Sequence, residues 1–422
     1  MTSTKLVDST ASARKGRRTA FLVAGIAVVA LLVLLGIRGG WFQRGGGEPP
    51  VEAQPAPAVP PMSCQVAQID KYGGFRFYAG AYPALVGNGF EIGDIVHVRL
   101  DGTALDIDAP FVRSYADVPM GSPCLAYISG TVRLQVNGGS LVEQVGVAKS
   151  VNGRWQLAGG RAADDLWVEF SMGERGGYRE EAALGCGEYT DELDDYPSVE
   201  AFANFREARG GALAPGRLFR GASPIDPTRG RAVFVDDLAE TNGIRAILDL
   251  ADGRAKVERF LGDSASASPY FESLWQAGKV LPLDMAVDFM GDAFAQAVAE
   301  GCRFLTRHEG PWLIHCLEGK DRTGTVCAIL EMLAGATYSE IVADYMASFE
   351  NYYHVRPGTR QFDFVRHNTV DSVLARLTGR DDVASLGDEE LQASARAYLL
   401  RGGLSESEIA ALRSVLCVPE GW

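Results

Sequence analysis

The residues best able to do chemistry lie in one run, His315-Cys316-Leu317-Glu318-Gly319-Lys320-Asp321-Arg322-Thr323-Gly324. Cys316 and Arg322 are separated by five residues, so one thiol and one guanidinium can face the same bound anion. Thiols beside helix N-termini and cations ionise readily and become nucleophilic. A guanidinium offers a planar fork matched to two phosphate oxygens. Gly319 and Gly324 relieve crowding where backbone amides must turn inward. A lone cysteine is usually a small buried hydrophobe, which suits Cys327. Core packing does not account for Cys316 and Arg322 at this spacing, with glycines between strand and helix.

A strand and a helix must position the run. Pro311-Trp312-Leu313-Ile314 reads as a buried strand, and Thr325 to Leu333 reads as a helix. A helix start carries unpaired N–H groups and partial positive charge, so the loop between them is an anion site.

At these residues the chain resembles the cysteine-dependent protein tyrosine phosphatase superfamily, whose loop is His-Cys, five residues, Arg, then Ser or Thr. The narrower form His-Cys-x-x-Gly-Lys-Asp-Arg-Thr-Gly is similar to the bacterial branch, related to dual- and triple-specificity enzymes acting on phosphoproteins and phosphoinositides. The resemblance spans residues 196–355. It includes Asn204-Phe205-Arg206, Gly216 to Ser223, and Asp344-Tyr345 with Ser348. It implies hydrolysis of phosphate monoesters, with phosphotyrosine proteins as the leading substrates and phosphoinositides or inositol phosphates as the alternative. Relatives often carry a small residue where Glu318 stands, and a carboxylate there would repel highly charged headgroups.

Roles follow from chemistry and resemblance together. Cys316 is the nucleophile and forms a phosphocysteine intermediate. Leu317, Glu318, Gly319, Lys320, Asp321 and Arg322 cradle phosphate, with Arg322 stabilising the transition state. Thr323 assists hydrolysis of the intermediate, and His315 orients the loop. The general acid is Asp321, or alternatively Asp284 or Asp288 on the preceding segment; the resemblance favours Asp321. No metal or cofactor is required, because Arg322 and the amides supply the positive field. Two other functions are a catalytically silent phosphate-binding module and a surface adhesion or scaffold protein.

The chain of 422 residues is 47% hydrophobic and 22% charged, as in globular proteins, and its net charge of −14 argues against nucleic acid as a partner. Residues 1–19 read as a cytoplasmic tail and 20–38 as a transmembrane helix. Ala20 to Ile37 are 18 uncharged residues, about 27 Å as a helix against a bilayer core of roughly 30 Å. Arg14, Lys15, Arg17 and Arg18 precede them, so a single-pass cell-membrane protein with its catalytic part extracytoplasmic is expected. Residues 39–62 form a Gly/Pro-rich linker.

Residues 63–175 show short alternating runs, such as Ile95 to Leu100 and Val132 to Val136, with turn signals between them. They predict a small all-β antiparallel sandwich or barrel. The 63–170 region faintly resembles the C-terminal barrel of adenosyl hydroxide transferases, which implies a binding or spacing module. Its His97 reads as structural. Residues 176–196 form an acidic connection.

Residues 197–422 read as an α/β phosphatase domain with a mostly parallel sheet, helices on both faces and a helical C-terminal extension. Expected strands are Arg217 to Arg220, Ile244 to Leu250 and Val280 to Leu283. Expected helices are Val233 to Thr241, Arg254 to Leu261, Asp292 to Arg307 and Thr337 to Ala347, with a mobile loop over 262–269. Seven cysteines fit one free catalytic thiol, with Cys64 and Cys124 a possible staple.

Overall fold

The alternation in the first third of the chain produces a closed barrel. The computed structural model describes residues 58–151, 154–263 and 268–418. Strands β1 (Met62–Ile69), β2 (Phe75–Phe77), β3 (Ile95–Arg99), β4 (Asp106–Val112), β5 (Pro123–Ile128), β6 (Thr131–Val136) and β9 (Trp167–Glu174) close in the order β1-β2-β6-β5-β4-β3-β9. A hairpin of β7 (Ala148–Val151) and β8 (Arg154–Leu157) stands beside it. Closure leaves no open sheet edge. The expected antiparallel pairing is broken once: β4 and β5 run parallel, with Phe111 opposite Leu125. Side chains alternate across the wall. On β6, Val132, Leu134 and Val136 fill the core, while Thr131, Arg133 and Gln135 face outward.

The α/β layer holds β10 (Arg206–Glu207), β11 (Leu218–Gly221), β12 (Ala246–Asp249), β13 (Val280–Pro282) and β14 (Trp312–His315) in the order β10-β11-β14-β12-β13. Only the edge strand β10 is antiparallel to its neighbour. Strand β14 is central and fully buried. Trp312 and Ile314 enter one core with Leu248 and the Asp292–Arg307 helix, while Leu313 enters the other with Ile247, Val235 and Phe271. A period-two strand covered on both faces therefore carries the catalytic run at its carboxyl end.

Several boundaries differ from expectation. The helix after the loop runs Asp321–Leu333, so Asp321, Arg322 and Thr323 form its first turn rather than belonging to the loop. The Thr337 capping box opens a helix that reaches Tyr353, beyond Ala347, because Phe349 and Tyr352 continue its buried face. A helix not anticipated from the sequence, Pro269–Gln276, begins at the last residue of the expected 262–269 loop; its Phe271 and Leu274 are buried. The C-terminal helices are no mere extension: Val365, Leu374, Leu391, Leu399 and Leu412 share the main core.

Cys64 and Cys124 are free thiols with no staple between them, and Cys124 lies outside the barrel core in a separate apolar cluster. The expected transmembrane segment lies outside the described residues. Among the described residues no helix is long and apolar enough to cross a membrane. Val59–Trp422 group as one compact unit, and Ala116 and Met120 of the barrel region share the core that contains Cys316. The barrel thus packs on the α/β layer.

Candidate active site

Cys316 follows the last residue of β14 and is 4% exposed. The loop is fixed from outside by bonds to its carbonyls. Leu250 N donates to His315 O at 2.9 Å, and Ser223 N donates to Leu317 O at 3.1 Å. Asn204 Nδ2 donates to Glu318 O at 2.9 Å and Gly319 O at 3.2 Å, and Tyr352 Oη donates to Glu318 O at 2.8 Å. Arg220 Nη2 donates to Gly319 O at 3.0 Å. With these carbonyls held outward, the N–H groups from Leu317 to Asp321 find no acceptor among the described residues and are left for an anion. Gly319 has φ +67°, and a Cβ there would stand 2.2 Å from Gly221 O, so only glycine fits.

Behind the loop lies a buried charge framework. Asp344 accepts from Arg206 Nε at 3.0 Å and from Arg220 Nη1. Asn204, held at φ +48°, also donates to Ser348 Oγ at 3.1 Å. The Asn204-Phe205-Arg206 and Asp344…Ser348 signatures are thus one scaffold. Burial and the Asp344 charge push Glu331 well above the carboxylate range, so it stands there protonated. Burial lowers His315 to about 4, so it is neutral; its Nδ1 lies 3.2 Å from Cys316 O.

The sequence-predicted site residues divide. Arg322 is buried, and its Nη1 donates to Met285 O at 3.0 Å and Leu250 O at 3.3 Å, which aims the guanidinium across the Cys316 cavity. Thr323 Oγ1 is buried with no partner among the described residues, and Thr323 is not among the residues that line the cavity.

The Lys320 ammonium lies 2.9 Å from Tyr353 Oη, 3.4 Å from Glu318 and 3.9 Å from Asp321, over the Tyr115 and Phe349 rings. These contacts hold Lys320 against the loop. Glu318 is also compensated: Tyr189 Oη donates to it, Lys320 neutralises it, and Arg229 Nη2 stands at 4.0 Å. Despite burial, these neighbours keep it below the ordinary carboxylate range, ionised but countered. Repulsion of an incoming anion is correspondingly weak. Tyr189 comes from the 176–196 connection, which thus helps build the site.

One cavity of about 180 Å³ is lined by Cys316, Leu317, Glu318, Asp321 and Arg322. Asp321 lines it; Asp284 and Asp288 do not. The Asp284 side chain is 67% exposed and pairs with Lys71 at 3.8 Å. Asp288 is half-buried with its carboxylate folded against the Gly291 backbone.

The rest of the wall is what sequence reasoning missed. Asp70, Tyr72, Tyr115, Met120, Arg133 and Gln135 come from the barrel region and roof the cavity. Tyr115 Oη donates to Asp321 Oδ2 at 2.6 Å. The Arg322 guanidinium lies 5.9 Å from the centre of the Tyr72 ring. Val287, Phe289 and Tyr345 complete an aromatic and apolar wall. The available signal was the polar residues alternating on β6, which read equally well as a solvated face. Among the described residues, no cluster of metal-ligating side chains is present.

Comparison with known proteins adds sequence relationships. The model of a family described as the tyrosine phosphatase family matches residues 197–418. The triple specificity protein phosphatase PtpB of Mycobacterium tuberculosis is 26% identical over 265 residues, covering 50% of this chain and 96% of that protein. Among solved structures, the PTP-2 phosphatase of Cydia pomonella is 17% identical, covering 38% of this chain and 89% of its own, with a TM-score of 0.23. The core catalytic domain of the PP-IP phosphatase SIW14 of S. cerevisiae is 18% identical, covering 44% and 96%, also with a TM-score of 0.23.

Proposed function

The chain belongs to the tyrosine phosphatase family and is a phosphoric monoester hydrolase, and from that premise we propose that it acts on phosphotyrosine proteins through Cys316. The observation that carries this reading is the single cavity onto which Cys316, Asp321 and Arg322 open together.

The Cys316 thiolate attacks phosphorus; an S–P bond forms as the ester P–O bond breaks. Asp321 gives its proton to the departing oxygen, so the leaving group departs as a neutral hydroxyl. The loop amides and the Arg322 fork hold the equatorial oxygens throughout. Water then attacks phosphorus and passes a proton back to Asp321, and the S–P bond breaks. Thr323 Oγ donates to the departing thiolate sulfur. Neutral His315 leaves the loop without a competing cation behind Cys316. The aromatic walls from Tyr72, Tyr115 and Phe289 suit an aryl ester better than a polyol.

Residues 20–38 anchor this unit in the cell membrane as a single-pass helix, with 63–422 outside the cytoplasm. This rests on the 18-residue uncharged run and on Arg14, Lys15, Arg17 and Arg18 before it. Protease added to intact cells is expected to digest the chain beyond Gly45; digestion only after cell disruption overturns this orientation.

Cys316→Ser tests the chemistry. It is expected to lower kcat on p-nitrophenyl phosphate at least about 10⁴-fold, the scale on which a lost nucleophile removes covalent catalysis. Affinity for vanadate should remain. Full turnover in this variant overturns the covalent route.

A further inference from the structure

The outward face of the barrel carries two arginines that the catalytic steps do not use. Arg76 on β2 and Arg133 on β6 are directly opposed across the strand pair, so both project from the same side of the wall. Like charges so opposed are destabilising unless an anion lies between or above them. Neither arginine has an ion pair or hydrogen bond to any described residue, and the Nε of each is buried without a partner. Arg133 and its β6 neighbour Gln135 line the Cys316 cavity. Burial, and then the Arg76 charge, pull the Arg133 guanidinium below its usual value. Asp70 is the carboxylate whose field reaches Arg133, but its Oδ1 is occupied by Tyr72 N at 2.9 Å and Gly74 N at 3.1 Å.

Resting on the phosphatase reading of the Cys316 site, we infer that Arg133, with Gln135 beside it and Arg76 behind it, is a second anion subsite selecting phosphotyrosine peptides that carry an acidic residue next to the phosphotyrosine. The two positions match two features of such a peptide. The aryl phosphate stands on the loop between Tyr72, Tyr115 and Phe289, and the neighbouring carboxylate meets the guanidinium fork at the roof. A carboxylate there also relieves the Arg76–Arg133 repulsion, so the gain exceeds that of an exposed ion pair. The barrel thereby becomes a specificity element for the site below it.

The test uses two phosphotyrosine peptides differing only in Glu or Ala beside the phosphotyrosine, assayed with the full chain. The wild type is expected to prefer the acidic peptide in kcat/KM by about tenfold, the scale of one charge-assisted hydrogen bond. Arg133→Gln should bring the ratio near one, and Arg133→Lys should restore part of it. Gln135→Glu, which supplies an internal carboxylate, should also abolish the preference and guards against a folding defect in the arginine variants. A wild-type ratio near one, or a ratio that survives Arg133→Gln, overturns the subsite. So does an Arg133-dependent preference confined to inositol bisphosphates. Failure of both peptides and of p-nitrophenyl phosphate would instead strike the catalytic reading of Cys316.

Discussion

Arginines are partnered differently in the two halves of the molecule. Around the catalytic loop each has its acceptors: Arg206 and Arg220 share Asp344, Arg231 pairs with Asp191 at 3.0 Å, and Arg322 holds two carbonyls. On the barrel roof, Arg76 and Arg133 have none among the described residues. The first group holds its acceptors before any ligand arrives and fixes the loop's shape, with only Nε of Arg220 and of Arg231 left without a partner among the described residues. The second is half-buried and makes no ion pair or hydrogen bond among the described residues, and its Arg133 lines the same cavity, an arrangement that an anionic ligand would relieve. On the proposed reading, the α/β layer supplies preorganised chemistry and the barrel selects what that chemistry is applied to.

The sharpest way to break this division is at Asp321, which both halves touch. Asp321→Asn keeps the shape of the loop and removes the proton donor. Hydrolysis of phosphotyrosine peptides should fall by about 10²–10⁴-fold. Hydrolysis of an activated aryl phosphate, whose leaving group needs no proton, should fall far less. Asp284→Asn and Asp288→Asn should leave both rates near wild type, since neither side chain lines the cavity. A leaving-group-dependent defect in either control, with none in Asp321→Asn, transfers the acid to the preceding segment.

The next effect belongs to the satisfied framework. Asp344→Asn leaves Arg206 and Arg220 without their carboxylate, but protonated Glu331 stands beside them and can ionise in its place. The double variant Asp344→Asn, Glu331→Gln has no such reserve. It should cost about 3–5 kcal/mol in denaturant unfolding, the range for a broken buried ion pair. The single variant should cost clearly less. Equal losses in the two would deny the reserve role of Glu331.

His315 offers a smaller effect with a definite sign. The folded chain holds it neutral down to about 4, while an unfolded histidine takes its proton near 6.5. Between these values the unfolded state binds more protons, so stability is present above the upper value and is lost as pH falls through the window. The loss is on the order of 3 kcal/mol. His315→Asn should flatten it, and an unchanged acid limb would show that other groups dominate there.

What the sequence disclosed follows from where its signals are local. Strand β14, the anion loop and the helix after it were readable because an apolar run, two glycines and a cysteine–arginine pair lie within a few residues. The first turn of that helix was misassigned because Gly324 reads as a loop residue. In the fold it sits where a Cβ would stand 2.7 Å from the Tyr345 ring, a packing reason invisible from the chain. Nothing local in the sequence reveals the Tyr353 and Glu318 partners of the Lys320 ammonium. The roof was illegible for the same reason: Tyr115 and Asp321 are 206 positions apart. Alternation on β6 tells which residues leave the barrel core but not what they meet outside it.

The last prediction tests whether the barrel enters the chemistry as well as the selection. Tyr115 sits in a short turn capped by Ser114, whose hydroxyl accepts from Ala116 N at 3.2 Å, so the ring is delivered to the cavity by a rigid element. Its hydroxyl is the donor that fixes the Asp321 carboxyl, and burial together with the Asp321 charge keep that hydroxyl protonated well beyond the usual tyrosine range. Tyr115→Phe removes the bond while keeping the ring in the wall. The acid would then sample orientations that miss the leaving oxygen. Turnover of phosphotyrosine peptides should fall by roughly tenfold, the scale of one hydrogen bond. An activated aryl phosphate should be spared, because Tyr115 acts only through Asp321. In the Asp321→Asn background the same substitution should therefore add little, a coupling that a double-mutant cycle reads directly. Additive losses would mean that Tyr115 touches substrate on its own account, and no loss at all would return the barrel to the role of a selective roof alone.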